Sequence, residues 1–385
     1  LVRYRRTIDF LLPIACNDSS VTFFMLPIEE RLLARFAVGL MVCKGINSYD
    51  IAVSGFPESV SRIVLGLGDA RPILERQSPA LRRLGIENSA PDWLVEKLSA
   101  QSGIEEAEKL LVGMNQRAPL WLRANTFKND VLSIQAMLKA EGYEVEKGDF
   151  SPWSLKLGTR VNIRGLKAFK SGFIEAQDEG SQLIAEITGV KPEHKVIDYC
   201  AGAGGKTLAL GAMMGGKGAL LACDIDEHRL EKMRPRLKRS GLTSVCLQNL
   251  SEPLPSPWSE GADCVLVDAP CTGSGTFRRQ PERKYTLQEE DLQKAHETQV
   301  QILAKAAPRV AVGGRLVYAT CSIFDEENEK VISRFREQHS DFKLVPLDSV
   351  LGDVRAKMVG DGVFLKMMPH THDSDGFFGA VFERV

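Results

Sequence analysis

Two thiols and a carboxylate stand where they could do chemistry. Asp268 and Cys271 close the stretch Asp263-Cys-Val-Leu-Val-Asp-Ala-Pro-Cys-Thr-Gly-Ser-Gly-Thr-Phe277, and Cys321 closes Gly313-Gly-Arg-Leu-Val-Tyr-Ala-Thr-Cys-Ser322. Each stretch opens with a short apolar run, the pattern of a parallel strand buried on both faces. In the first, Pro270 holds Ala269 extended and bars a helix, and Gly273 and Gly275 make a pliant loop. Both cysteines are thus expected at the carboxyl ends of strands, where open α/β sheets place their ligands. They are 50 residues apart (321 − 271), but neighbouring strands would bring them to one cleft. Either cysteine alone reads as a packing residue. Two of them with an aspartate at matching strand ends read as a site.

A third stretch supplies a candidate ligand loop. Lys195-Val-Ile-Asp-Tyr-Cys-Ala-Gly-Ala-Gly-Gly-Lys-Thr207 reads as strand, glycine turn and helix start. A P-loop needs glycine where Cys200 stands, and a dinucleotide fingerprint needs its third glycine where Thr207 stands, so both patterns fail. A Gly-x-Gly turn followed by an acid at the end of the next strand, Asp224, also fits S-adenosylmethionine, with Asp224 on the ribose. The expected cofactor contacts are Ala201, Gly202, Ala203, Gly204, Gly205, Lys206 and Asp224.

A thiol pair beside a methyl donor suits methylation of a pyrimidine carbon. Carbon-5 of cytosine is a poor nucleophile until a thiolate adds at carbon-6 and makes the ring an enamine. A carboxyl group can support protonation at ring nitrogen-3, and a second thiol can assist loss of the carbon-5 proton. The base must be unpaired or flipped out to reach such a site.

The elements that position these groups follow from periodicity. Residues 1–90 read as a helical N-terminal region, with helical spacing in Glu30–Cys43 and Pro57–Leu65; the cluster Arg3, Arg5 and Arg6 reads as a solvated terminus. Residues 91–172 read as a small α+β domain. Its strands are expected around 116–127, 143–145, 154–157 and 161–163, its helix over 130–139, and its mixture of charge and Phe127 suits an RNA-facing sheet. From 173 to 385, strands near 195–199, 218–223, 244–248, 263–268, 315–320, 342–347 and 376–382 alternate with helices such as 227–240 and 291–312. That alternation predicts an α/β, Rossmann-like, mostly parallel sheet covered on both faces.

The net charge of −1 supplies no global field for nucleic acid, so RNA contact must come from local patches. Arg278, Arg279, Arg283 and Lys284, just after the Cys271 loop, are candidate RNA-binding residues against the alternative of a solvated charged face. Eight scattered cysteines without a C-x-x-C pair argue against a zinc site and a disulfide framework, and suggest a reducing cytoplasm. No apolar run approaches the roughly 18 residues of a membrane span. The basic start lacks a signal-peptide core, and it begins with Leu rather than Met, as a chain without its first residues does. A monomer is expected.

Asp268-Ala-Pro-Cys-Thr-Gly-Ser-Gly275, Ala319-Thr-Cys-Ser322, Asp198-Tyr-Cys-Ala-Gly-Ala-Gly-Gly-Lys206 and the ending Asp375-Gly-Phe-Phe378 together resemble the Sun/Fmu family of RNA cytosine-5 methyltransferases, above all its bacterial branch acting on small-subunit ribosomal RNA. The resemblance covers about 90–385. It implies a class I methyltransferase sheet, Cys321 as nucleophile, Cys271 as the thiol that assists release, and a donor site made by the loop Cys200 to Lys206, the ribose acid Asp224 and the strand-end Asp268. The family loop usually reads Ala-Ala-Pro-Gly-Gly-Lys, where this chain has Ala-Gly-Ala-Gly-Gly-Lys. The family usually has Gly-Asp facing the adenine after the third strand, where this chain has Gln248-Asn-Leu-Ser251 and Asn249 is the candidate substitute. The branch carries an all-helical RNA-binding N-terminal domain, for which residues 1–90 are short. The rival readings are a tRNA enzyme, a DNA cytosine-5 enzyme with Cys271 as nucleophile, and a non-catalytic RNA-binding assembly factor.

Overall fold

The computed structural model describes residues 2–19, 21–77, 79–256 and 258–385, without the side chains at 18 and 259. The chain forms two compact units. One is Leu1–Gln116 with Phe277–Glu289, the other Arg117–Thr276 with Glu290–Val385.

The first unit is helical. Arg5–Ser19, Ile28–Lys44 and Glu58–Leu67 bury Ile8, Leu11, Val38, Ile63 and Val64 against one another. Two further helices, Asp92–Ser102 and Ile104–Asn115, also belong to this unit, so the division differs from a boundary at residue 90. The arginines at the start are bonded rather than merely solvated. Arg3 donates to the carbonyls of Met114, Gln116 and Arg278, and Arg6 pairs with Asp92 at 2.5 Å.

The second unit holds two sheets. The smaller is antiparallel, in the order β2-β3-β1-β4, from β1 (Leu120–Ala124), β2 (Val145–Lys147), β3 (Ser154–Leu157) and β4 (Ile174–Ala176). The helix Val131–Ala140 is capped by the Asp130 side chain and packs Ile134 and Leu138 into this sheet's core. The strand expected at 161–163 does not form. Asn162 accepts a hydrogen bond from the backbone of Arg164 and turns the chain into a short 3-10 helix, Ile163–Gly165.

The larger sheet contains β5 (Lys195–Asp198), β6 (Ala219–Asp224), β7 (Cys246–Asn249), β8 (Ala262–Asp268), β9 (Val310–Thr320), β10 (Phe342–Leu344), β11 (Leu365–Met367) and β12 (Phe377–Arg384). Its order is β10-β12-β9-β8-β5-β6-β7, with β11 on β12. β5 to β9 are parallel; β12 pairs antiparallel with β9, β10 and β11. Both faces are covered, as the unbroken apolar runs imply. Val196, Leu266 and Val317 pack on one side; Ile197, Val265, Val267 and Tyr318 pack on the other.

The helix expected over 291–312 occupies Glu289–Ala306 instead, and β9 begins at Val310. The register between β8 and β9 slips after Ala262, where Gly313 (φ 78°) and Gly314 let the chain loop out before rejoining the ladder at Arg315. A Cβ on Gly314 would lie 2.8 Å from the Ala262 carbonyl. Helix Glu227–Ser240 forms where periodicity places it, because Asp226 caps its start and Gly241 (φ 83°) ends it.

Candidate active site

The register of β8 and β9 brings the two thiols together. Asp268 pairs with Ala319, the Ala269 N–H donates to the Ala319 carbonyl, and the Gly275 N–H donates to the Cys321 carbonyl at 2.9 Å. The sulfurs of Cys271 and Cys321 then lie 3.3 Å apart. Burial and the neighbouring sulfur act together on Cys271. The hydrogen bond with Cys321, then desolvation, then the charges of Cys321 and Glu327 push its thiol well above the ordinary range.

Glu327 locks the two cysteine loops. It is fully buried and accepts from the Thr272 N–H at 2.9 Å, the Thr272 and Ser322 hydroxyls at 2.5 Å each, and Gln299 Nε2 at 2.9 Å. Thr272 and Ser322 are the residues immediately after Cys271 and Cys321, so one carboxylate sets the position of both sulfurs. A second tie joins the Ser274 and Ser322 hydroxyls at 3.0 Å. The ending motif closes the loop from outside. The Gly376 N–H donates to the Gly275 carbonyl, and a Cβ on Gly275 would meet the Gly376 carbonyl oxygen at 2.3 Å, so only glycine fits. Glu327 lies on a 3-10 turn whose partners come from three separate segments, and no spacing rule reports that.

Asp268 connects this pair to the glycine loop. Lys206 Nζ lies 2.6 Å from Asp268 Oδ2 and 5.5 Å from the Phe377 ring centroid. Burial alone would lower Lys206, but Asp268, with smaller help from Cys321 and Asp198, raises it above its ordinary value. It therefore stands as a fixed ammonium between loop and thiols.

The glycine loop is shaped by three positions. Gly202 (φ 54°) and Gly204 (φ 87°) take left-handed conformations, and a Cβ on Gly204 would strike Met233 at 2.4 Å. Positions 202 and 205 face open space, leaving room for a ligand against the backbone. Helix Gly205–Met213 starts here and its first-turn N–H groups favour negative charge. Asp224 is 5% exposed and anchors the loop, accepting from the Gly202 N–H at 2.8 Å and the Asp226 N–H at 2.9 Å. Asn249 pairs in register with Asp224, but its side chain is engaged locally with Ser251 and Glu227. Cys200 is held as a neutral thiol, raised first by desolvation and then by Asp198, Asp268 and Asp224.

Asp198 was not singled out by sequence reading beyond its place in the motif. One of its oxygens accepts from the Thr207 hydroxyl at 2.7 Å; the other is buried without a partner. Burial, reinforced by Asp268 and Asp224, raises it to about 7. Orphaned Asp198 Oδ1, the three acids and the open glycine backbone together fit S-adenosylmethionine, a cationic ligand with ribose hydroxyls and an amino-acid tail.

Two of the four candidate RNA contacts are buried. Lys284 is 1% exposed, with Nζ on the Asn88 carbonyl at 3.3 Å and on Asn115 Oδ1 at 2.8 Å. Arg278 is likewise 1% exposed. Both are buried in the helical unit, and the Lys284 head finds a carbonyl and an amide oxygen there. Arg279 is exposed and Arg283 partly so, and they stay as candidates.

A parallel α/β sheet with a donor loop and a paired-thiol cleft at its carboxyl end defines an S-adenosylmethionine-dependent methyltransferase. Residues 186–383 match the family described as 16S rRNA methyltransferase RsmB/F, and 90–164 match the ferredoxin-like domain of RsmF/B-like methyltransferases. The chain belongs to the RsmB/F family. It is 34% identical, over 91% of its length and 77% of the relative's, to a protein of Bacillus subtilis (strain 168) named "Probable ribosomal RNA small subunit methyltransferase B". Among solved structures, that of PH0851 superposes with a TM-score of 0.76 at 30% identity, covering 100% of this chain and 88% of the other. A methyltransferase homologue from Pyrococcus horikoshii has a TM-score of 0.67 at 27% identity, covering 80% and 100%. No helix among the described residues is long and apolar enough to cross a membrane.

Proposed function

We propose that the chain methylates carbon-5 of a cytosine in small-subunit ribosomal RNA through a covalent bond between Cys321 and the base. The observation that carries this is the 3.3 Å pairing of Cys271 and Cys321 beside the Lys206–Asp268 ion pair. In the proposed sequence the Cys321 sulfur adds to carbon-6, and the carbon-5/carbon-6 π electrons move to carbon-5. Asp268 faces the ring nitrogen and supports its protonation. S-adenosylmethionine, bound over residues 201–206, supplies an electrophilic methyl group. Carbon-5 takes that methyl group as its bond to the donor sulfur breaks and S-adenosylhomocysteine leaves, and Cys271 assists removal of the carbon-5 proton. The electron pair left at carbon-5 reforms the double bond and expels the Cys321 sulfur. Asp224 and the Gly202 and Gly205 backbone hold the ribose side of the donor.

The test separates the thiols. Cys271→Ala leaves attack intact and stalls release, so an RNA–protein adduct that survives denaturing electrophoresis should accumulate on 16S rRNA with the donor present. Cys321→Ala should show neither adduct nor turnover. The reverse pattern would make Cys271 the nucleophile, and full activity in both variants would leave a non-catalytic RNA-binding protein.

A further inference from the structure

The second unit carries a groove of about 700 Å³ whose lining is strongly basic: Arg164, Lys170, Lys232, Arg236 and Arg239 against the single carboxylate of Glu175. It runs between the 3-10 and helical turns of the small domain (163–170) and helix Glu227–Ser240, and the donor loop reaches it at Ala203. We propose that this groove is a binding site for the phosphate backbone of single-stranded RNA, leading the strand to the thiol cleft; the inference rests on the RNA methyltransferase reading above.

Its floor is rigid. Arg236 donates to the Ala203 carbonyl at 2.5 Å and pairs with Glu175 at 3.1 Å; Arg239 also pairs with Glu175 and stacks its guanidinium 3.9 Å from the Phe169 ring centroid. Arg123, buried beneath, adds charge near Arg236, held by Gln177 at 2.6 Å. Glu175 is thus shared between two guanidiniums, with a third close by. The Arg239 Nε donor is buried with no partner. The outer charges are exposed: Arg164, Lys170 and Lys232 meet no carboxylate among the described residues. Exposed cations held near one another repel unless an anion joins them, and a strand presenting one phosphate per nucleotide offers several at once. Phosphate contacts of this kind set register without reading sequence. The path to chemistry is short in the chain: Ala203 precedes Lys206, whose partner Asp268 precedes Cys271 by three residues.

The experiment measures binding of the full chain to a 20-nucleotide single-stranded RNA across a salt series. It compares wild type with the triple variant Arg164→Gln, Lys170→Gln, Lys232→Gln and with a control triple, Lys305→Gln, Lys343→Gln, Lys357→Gln, of exposed lysines elsewhere. Each lost single-strand contact flattens the slope of log K against log salt by about 0.7, so the groove triple should flatten it by roughly 2 and the control by far less. Melting curves check that both fold. Equal slopes in all three proteins, or an equal fall in both triples, would overturn the proposal. Methylation of deproteinised 16S rRNA by wild type is followed in parallel. Methylation with an unchanged groove slope sinks the groove alone, whereas no methylation and no salt-dependent RNA binding sinks the functional reading with it.

Discussion

Glu327→Gln removes a charge without removing volume, and the structure says what that should do. The carboxylate accepts four hydrogen bonds, from the Thr272 N–H, Gln299 Nε2 and the hydroxyls of Thr272 and Ser322. Hydrogen bonds to a charged group contribute about 1.5–3 kcal/mol and neutral ones about 0.5–1.5. Turning four of the first kind into the second costs about 4–6 kcal/mol, with the amide NH2 facing the two hydroxyls, which are able to rotate and accept. If it faced the Thr272 N–H and Gln299 instead, two donors would oppose donors. The Cys271 and Cys321 loops then lose their common tie, and a displacement of about 1 Å at a reacting atom costs roughly 10²-fold in rate. The assay is single-turnover methyl transfer to 16S rRNA, with thermal melting and donor titration beside it. Expected are a rate lowered about 100-fold, a melting temperature lowered by several degrees and an unchanged donor Kd, with part of the rate restored by Glu327→Asp. A variant with wild-type single-turnover rate and melting would refute the view that Glu327 holds the sulfurs in place. A parallel loss of donor affinity would show a collapsed site rather than displaced thiols.

Two further outcomes concern proton linkage. Burial holds Asp198 at about 7 against 3.8 for the free group, so its ionised form appears only as pH rises through 7; S-adenosylmethionine, a cation, should therefore bind more tightly at pH 8 than at pH 6, up to about tenfold, by calorimetry, and Asp198→Asn should flatten the dependence. Burial lowers Lys284 to about 7 from 10.5, with Arg3 assisting; between those values the unfolded chain binds the extra proton, so stability should rise from pH 7 towards pH 10 and level off below 7, by up to about 2–3 kcal/mol at pH 9. In Lys284→Met that rise in denaturant midpoint should disappear, and a rise of the same size in the variant would assign it elsewhere.

Much of the site was legible because its chemistry sits at strand ends, and strand ends are marked locally. The apolar run before Asp268, the proline after it and the glycines beyond it describe one strand and its loop. The same holds for β9 and Cys321, and the structure makes the two strands neighbours. Helix Glu227–Ser240 was legible from its periodicity, and its cap residues explain why it begins and ends there. What was not legible depends on distant partners. Lys284 reads as a surface charge until Asn88 and Asn115 are found around it. Arg164 and Lys170 are far in sequence from Lys232, and nothing in their spacing says that they line one groove. The strand expected at 161–163 lost to a side-chain turn at Asn162, a local competitor that alternation of apolar residues does not register.

The two thiols are chemically unequal, and the inequality comes from the surroundings rather than from the cysteines. Cys271 is pushed up by its bond to the Cys321 sulfur, by burial, and by the charges of Cys321 and Glu327. The two sulfurs share the 3.3 Å contact, in which either can be the donor. Lys206 stands on the opposite side of the balance: Cys321 is among the groups that favour its charged form. Negative charge is disfavoured at the Cys271 sulfur, which lies beside a buried carboxylate and a second sulfur. Glu327 consequently acts twice, through its hydrogen bonds to Thr272 and Ser322 and through its charge on Cys271. In the proposed order of bond making and breaking, Cys321 attacks carbon-6 and Cys271 takes part in the later steps at carbon-5.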